Sequence, residues 1–231
     1  MLEFDPGSLT ESQRERLLLW SVVPRPVAMV STVSPDGVAN LAPFSYFTAV
    51  GYLPMSLLFC TGPKPDLSEK DSCRNARPAS EGGTGEFTVN VLIEEHARAA
   101  TAAARPLPYG ESEYGPARLR PVPGVVVGTP RIDGSPIAFE CSTTAVVPVG
   151  SFFVVIGEIV HVTIEESLLD RSSFQIDFDR LDSIGRMGAG EFVRTFSRFE
   201  IEGQHGHAVD DYAPLPENAD ALAGASLVDR K

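Results

Sequence analysis

Cysteine is scarce in this chain: Cys60, Cys73 and Cys141 are odd in number and far apart in 231 residues, which offers neither a disulfide framework nor a CxxC metal knuckle. A reducing, cytoplasmic setting is the expectation. Basic side chains are also in deficit, 19 Lys and Arg against 31 Asp and Glu, for a formal net charge of −12. A surface of that sign repels extended polyanions, and no Lys/Arg run gathers a basic face, so nucleic acid is excluded as a partner. Any anionic ligand must be small and held by a few local donors. Long hydrophobic runs are missing too. The most apolar stretch, Val146 to Ile164, is interrupted by Pro148, Gly150, Gly157, Glu158 and His161, so it cannot be a spanning helix. The N-terminal region carries the charged stretch Glu11 to Arg16 and no apolar core behind a basic start, which argues against an export signal.

The usual nucleotide and hydrolase signatures are absent as well. There is no GxxxxGK[ST], and the glycines of Gly82 to Gly85 and Gly185 to Gly190 fit neither a P-loop nor a GxGxxG turn. A Rossmann domain is excluded. No HExxH, GxSxG or Cys/His cluster occurs, and the pair His205 and His207 offers a metal too few ligands.

What the chain has is 43% hydrophobic content, enough for one substantial core. Residues 1–21 read as an N-terminal docking segment, with a weak helix from Ser8 to Trp20 capped by Ser8 or Thr10. Residues 22–202 form the body, and 203–231, rich in Ala, Asp, Gly and Pro, read as a flexible tail. In the body, Val27 to Val33 is a β-branched run closed by the turn Ser34-Pro35-Asp36-Gly37. Further strands are expected over 38–50, 55–60, 124–127, 137–147 and 152–164, the last of them central. Short helices are expected over 69–77 and 94–104. The fold class is therefore mainly β, a barrel or sandwich with a few peripheral helices. His161, inside the central strand, reads as a core histidine.

Three segments carry chemistry. In Asn40-Leu41-Ala42-Pro43-Phe44-Ser45, Pro43 lacks an N–H and fixes φ, so the strand bends and its amides can turn to a ligand. Cys60-Thr61-Gly62 follows. In Lys70-Asp71-Ser72-Cys73-Arg74-Asn75, two cations and several donors meet a helix start, which suits a phosphate. The same residues also read as a solvated helix cap, and Asn40 as a turn residue. Spacing alone leaves both open.

These segments resemble the flavin reductase-like family. The likeness begins with Pro24-Arg25-Pro26-Val27-Ala28-Met29-Val30-Ser31-Thr32-Val33, continues through Asp36-Gly37-Val38 and Asn40 to Phe47, and includes Lys70-Asp71-Ser72 with Arg74-Asn75. It goes on through Gly85 to Asn90, Ser135 to Cys141, Ile156 to Val162 and Asp182 to Gly188, covering roughly residues 22 to 200. The resemblance implies an FMN-binding split β-barrel that forms a homodimer with the flavin near the subunit interface. It implies that Asn40, Leu41, Ala42, Pro43, Phe44 and Ser45 hold the ring, and that Thr61, Lys70, Ser72, Arg74 and Asn75 hold the phosphate. Arg186 would lie near the flavin or the nicotinamide. The implied activity is reduction of flavin by NADH or NADPH, in some relatives to supply a monooxygenase. A non-catalytic FMN binder or electron carrier is the alternative, and a barrel that has lost its cofactor a third reading. Two departures stand out: the stretch Pro78 to Thr84 is longer than the resemblance leads one to expect, and where relatives often have an Arg-x-Gly-Gly string followed shortly by an aromatic, this chain runs Arg186-Met187-Gly188-Ala189-Gly190-Glu191-Phe192, with Phe192, which has no hydroxyl, as the substitute. Tyr46 is divided evenly between packing and ring contact.

Overall fold

The computed structural model describes residues 1–196 and 198, of which 1–196 lie in a unit running from Met1 to Ser197. The expected flexible tail, with His205 and His207, lies outside the described residues.

The strands are β1 (Arg25–Pro26), β2 (Ala28–Val33), β3 (Ala39–Phe44), β4 (Phe47–Tyr52), β5 (Met55–Thr61), β6 (Glu86–Val91), β7 (Pro121–Val122), β8 (Arg131–Ile132), β9 (Ile137–Val149), β10 (Phe152–Ile164), β11 (Leu169–Asp170), β12 (Gln175–Ile176), β13 (Ile184–Arg186) and β14 (Phe192–Arg194). The helices are α1 (Glu11–Ser21), α2 (Asp71–Ala76), α3 (Ala97–Ala103) and α4 (Tyr114–Ala117). The β2–β3 hairpin forms where the sequence places it. Gly37, at φ +85°, supplies the turn conformation that a side chain disfavours, and its amide reaches Ser34 O at 2.8 Å.

Seven strands make one antiparallel sheet in the order β3-β2-β6-β9-β10-β5-β4. Its two edge strands, β3 and β4, are consecutive in the chain and separated only by Ser45 and Tyr46. Two residues cannot cross a flat seven-stranded sheet, so the sheet must curl until its edges meet. No ladder joins β3 to β4, and the closed sheet is split along that seam. Inside it the rings of Phe44, Phe59 and Phe87 pack in series, the first pair tilted and the second edge to face, with centroids 5.0 and 5.1 Å apart, against buried Val30, Val89 and Val155. Successive residues of β2 serve opposite faces: Ala28 and Val30 enter this core, whereas Met29 joins Leu41, Leu92 and Tyr114 beneath α3. The alanines of α3 let that helix lie close, with Ala100 and Ala103 buried one turn apart.

Several expectations are corrected. Residues 124–127 are not a strand. The amides of Val125, Val126 and Val127 donate to the carboxylate of buried Glu140 at 2.7, 2.7 and 3.0 Å, so this backbone is satisfied by a side chain and not by a ladder. The helix over 94–104 opens with a 3-10 turn, Glu94–His96, and the helix over 69–77 shrinks to α2. His161 is half-buried in β10, next to exposed Val160, and is not a core residue. The N-terminal helix starts at Thr10, whose hydroxyl accepts from Gln13 N while Gln13 Oε1 accepts from Thr10 N. It buries none of its side chains.

Candidate functional site

Strand β3 is where the sheet stops, so one side of its backbone faces outward. Leu41 N points that way and donates to Glu113 Oε2 at 2.9 Å. By alternation, the amides of Asn40 and Ala42 turn inward to Thr32 and Val30 of β2, and Pro43 has no amide. The expectation that the bent strand aims free amides at a ligand therefore fails within β3. This edge presents side chains and carbonyls.

Against that edge lies a cavity of about 390 Å³, walled by Asn40, Ala42 and Pro43 on one side and by the segment from Ala103 to Leu107 on the other. Lys70 and Ser72, at the start of α2, close one end, and Glu113 closes the floor. A buried polar network fixes the floor. Asn40 Nδ2 donates to Glu113 Oε2 at 2.6 Å, and Asn40 Oδ1 accepts from Ser72 Oγ at 2.9 Å and Thr32 Oγ1 at 3.3 Å. Asn75 Nδ2 donates to Thr32 Oγ1 at 3.1 Å, and Tyr109 OH donates to Asn75 Oδ1 at 3.4 Å. Burial raises the Glu113 carboxyl above its ordinary range, although its bonds from Leu41 N and Asn40 pull the other way.

Lys70 is the cation of this cavity. Its Nζ lies 5.6 Å from the Phe44 ring centre, and burial, then neighbouring Lys64, lowers its pKa. Lys64 itself is bound to Asp71 at 2.6 Å, whereas Lys70 has no ion pair among the described residues. A half-desolvated lysine without a counter-ion, beside a serine hydroxyl and an apolar slot of alanine and proline, fits a planar ligand carrying one phosphate.

A second cavity, about 240 Å³, shares Pro43 and Ala104 with the first and is lined by Val27, Ser45, Leu92, Arg186 and Phe192. The Arg186 guanidinium lies 4.7 Å from the Phe192 ring centre and donates to Ala189 O. The wall bearing Arg186 is tied down by buried Arg25, which donates to Val22 O at 2.7 Å, Met187 O at 3.1 Å, Ser45 Oγ at 3.4 Å and Leu19 O. Burial lowers the Arg25 pKa.

The sequence-named residues thus divide. Asn40, Ala42, Pro43, Lys70 and Ser72 meet at the first cavity, and Ser45 and Arg186 at the second. Leu41 and Phe44 are core residues behind the wall. Asn75 is a buried strut, and Thr61 is fully buried, its hydroxyl without a hydrogen-bond partner among the described residues. Arg74 faces a third, adjoining groove, its guanidinium 4.1 Å from the Tyr109 ring centre. The long stretch 78–84 does not touch these cavities. It folds under the far end of α2, with Thr84 N on Asn75 O at 2.7 Å and Gly85 N on Arg77 O at 2.8 Å. Tyr46 packs edge-on against Phe152, 6.1 Å between ring centres. Glu113 and Tyr109 escaped the sequence reading because their partners are remote, 72 residues away for Glu113 and Leu41, and Arg25 because its link to the Arg186 wall runs through Met187, 162 residues away.

Comparison with known proteins bears on the family and the fold. The model of the flavin reductase like domain matches residues 20–178. An uncharacterized protein of Halalkalibacterium halodurans is 33% identical over 207 residues, spanning 87% of this chain and 96% of the relative. The solved structure of nitrilotriacetate monooxygenase component B from Bacillus cereus superposes with TM-score 0.80 at 31% identity, covering 87% of this chain and 98% of that one. A split-barrel protein of Shewanella frigidimarina, 17% identical, superposes with TM-score 0.71 over 87% of this chain and 98% of its own, so the fold is the split barrel.

Proposed function

Since the chain belongs to the flavin reductase-like family, we propose that it binds FMN in the cavity along β3 and reduces it with NADH or NADPH. The observation that carries this reading is Lys70, a half-buried cation with no ion pair among the described residues, at the end of an apolar slot. Bound there, the flavin supplies the acceptor for hydride from a nicotinamide. Ala42 and Pro43 on one side and Ala103 and Ala104 on the other flank the ring. Lys70 and Ser72 take the phosphate, whose charge restores to Lys70 the counter-ion it lacks. Asn40, held between Glu113 and Ser72, keeps its amide fixed at the ring edge. The second cavity, beside Pro43, receives the nicotinamide, with Arg186 stacked on Phe192 at its mouth. No proton-transfer group is required of the protein for this step.

The protein acts as a homodimer in this reading. Support comes from edge strand β4 and its hairpin, which expose Val50, Tyr52, Leu53 and Met55 at 47 to 67%. The relative named as a monooxygenase component supports a role in supplying reduced flavin to an oxygenase. FMN titration followed by steady-state oxidation of NADH and NADPH tests the proposal. Saturable FMN binding with flavin-dependent nicotinamide oxidation is expected. Binding without oxidation would favour the electron-carrier reading, and no flavin binding would overturn both.

A further inference from the structure

Beyond Lys70 the flavin cavity opens into a groove of about 700 Å³, and the two share the wall formed by Lys64, Pro65, Asp71, Pro106 and Leu107. An FMN phosphate at Lys70 would leave this groove vacant. Its lining is suited to a second phosphate and a planar base. The carboxylates along it are already engaged: Asp71 by Lys64 at 2.6 Å, Glu69 by Arg77 at 2.8 Å, and Asp66 by the Ser68 hydroxyl at 2.6 Å and amide at 3.0 Å. Arg74 has no ion pair among the described residues, so its guanidinium is the cation of the groove still open to an anion. Its plane lies 4.1 Å from the Tyr109 ring centre, and Tyr109, anchored through its hydroxyl to Asn75, keeps 37% exposure. A guanidinium lying over an aromatic ring forms a stacked pair that a nucleobase can extend.

We propose that this groove binds an adenosine 5′-phosphate moiety, through Arg74 to the phosphate and Tyr109 to the adenine. The proposal rests on the flavin reading of the adjoining cavity. Two ligands carry that moiety: FAD, whose flavin half would lie in the cavity, and the nicotinamide dinucleotide. Dissociation constants of FMN and FAD, and the KM of NADH with FMN present, are measured for the parent, Arg74→Ala and Tyr109→Ala. A groove serving FAD makes the parent prefer FAD over FMN by about tenfold, a stacking-sized effect, and the variants erase that preference while FMN affinity stays unchanged. A groove serving the dinucleotide leaves both flavin affinities alone and raises KM by a similar factor. Equal FMN and FAD affinity in the parent, together with unchanged KM in both variants, overturns the proposal, as does equal loss of FMN and FAD. If the parent binds no flavin at all, it is the cavity assignment that fails.

Discussion

Replacing Lys70 by alanine should separate ligand binding from folding. Lys70 stands half-desolvated, with no ion pair among the described residues, its Nζ 5.6 Å from the Phe44 ring centre. A phosphate beside it gains charge-assisted hydrogen bonds of about 1.5 to 3 kcal/mol, which corresponds to roughly 10- to 150-fold in dissociation constant. Against this, the apo protein loses a cation–π contact of about 0.5 to 1 kcal/mol and is relieved of the lysine's desolvation. Lys70→Ala is therefore expected to weaken FMN at least tenfold, leave riboflavin within about twofold, and leave the unfolding temperature of the apo protein unchanged or raised. Flavin fluorescence quenching gives both affinities, and calorimetry gives the melting temperature. Because burial lowers the Lys70 pKa, the parent's FMN affinity should also fall on alkaline titration before the ordinary lysine value of 10.5 is reached, a fall missing from the variant. Equal losses of FMN and riboflavin in a folded variant, or no loss of FMN, would refute the phosphate assignment.

Glu113→Gln keeps an acceptor for Asn40 and Leu41 and removes the titration. Since the folded pKa is raised above 4.5, the carboxyl's contribution to stability is fully present below that pH and is lost as pH rises through the raised value. Urea midpoints between pH 4.5 and 8 should therefore fall for the parent and stay flatter for Glu113→Gln; parallel curves would contradict this assignment. Gly157→Ala would set a Cβ 2.5 Å from the fully buried Phe87 ring, and such overpacking costs about 1 to 3 kcal/mol, read as a lowered urea midpoint. Tyr52→Glu with Leu53→Glu, on the exposed hairpin, should convert a dimer to a monomer by light scattering; a parent that is already monomeric removes the interface.

Much of the fold was legible because it is written locally. The run Val27 to Val33 with its Gly37 turn, and the apolar length of 152–164, specify strands by alternation and turn chemistry over a few residues. The stretch 124–127 misled for the converse reason. Its valines look like a strand, yet Glu140, distant in sequence, claims three successive amides, and no local pattern reports that. The site behaved likewise. Lys70 and Ser72 were legible as donors at a helix start, but that Arg74, four residues on from Lys70, lines a different groove follows from the remote position of Tyr109, over whose ring its guanidinium lies. Glu113 sits in a stretch of Pro, Gly and Tyr with no period, so nothing in its surroundings marks it as the floor of a cavity.

Diffraction from crystals grown with saturating FMN tests the central claim most directly. The account predicts the isoalloxazine between the Ala42–Pro43 edge of β3 and the segment from Ala103 to Leu107, with the phosphate within hydrogen-bond reach of Lys70 Nζ and Ser72 Oγ. Flavin bound at another face of the barrel, or a cavity that stays empty of flavin while the protein in solution is saturated, would contradict it.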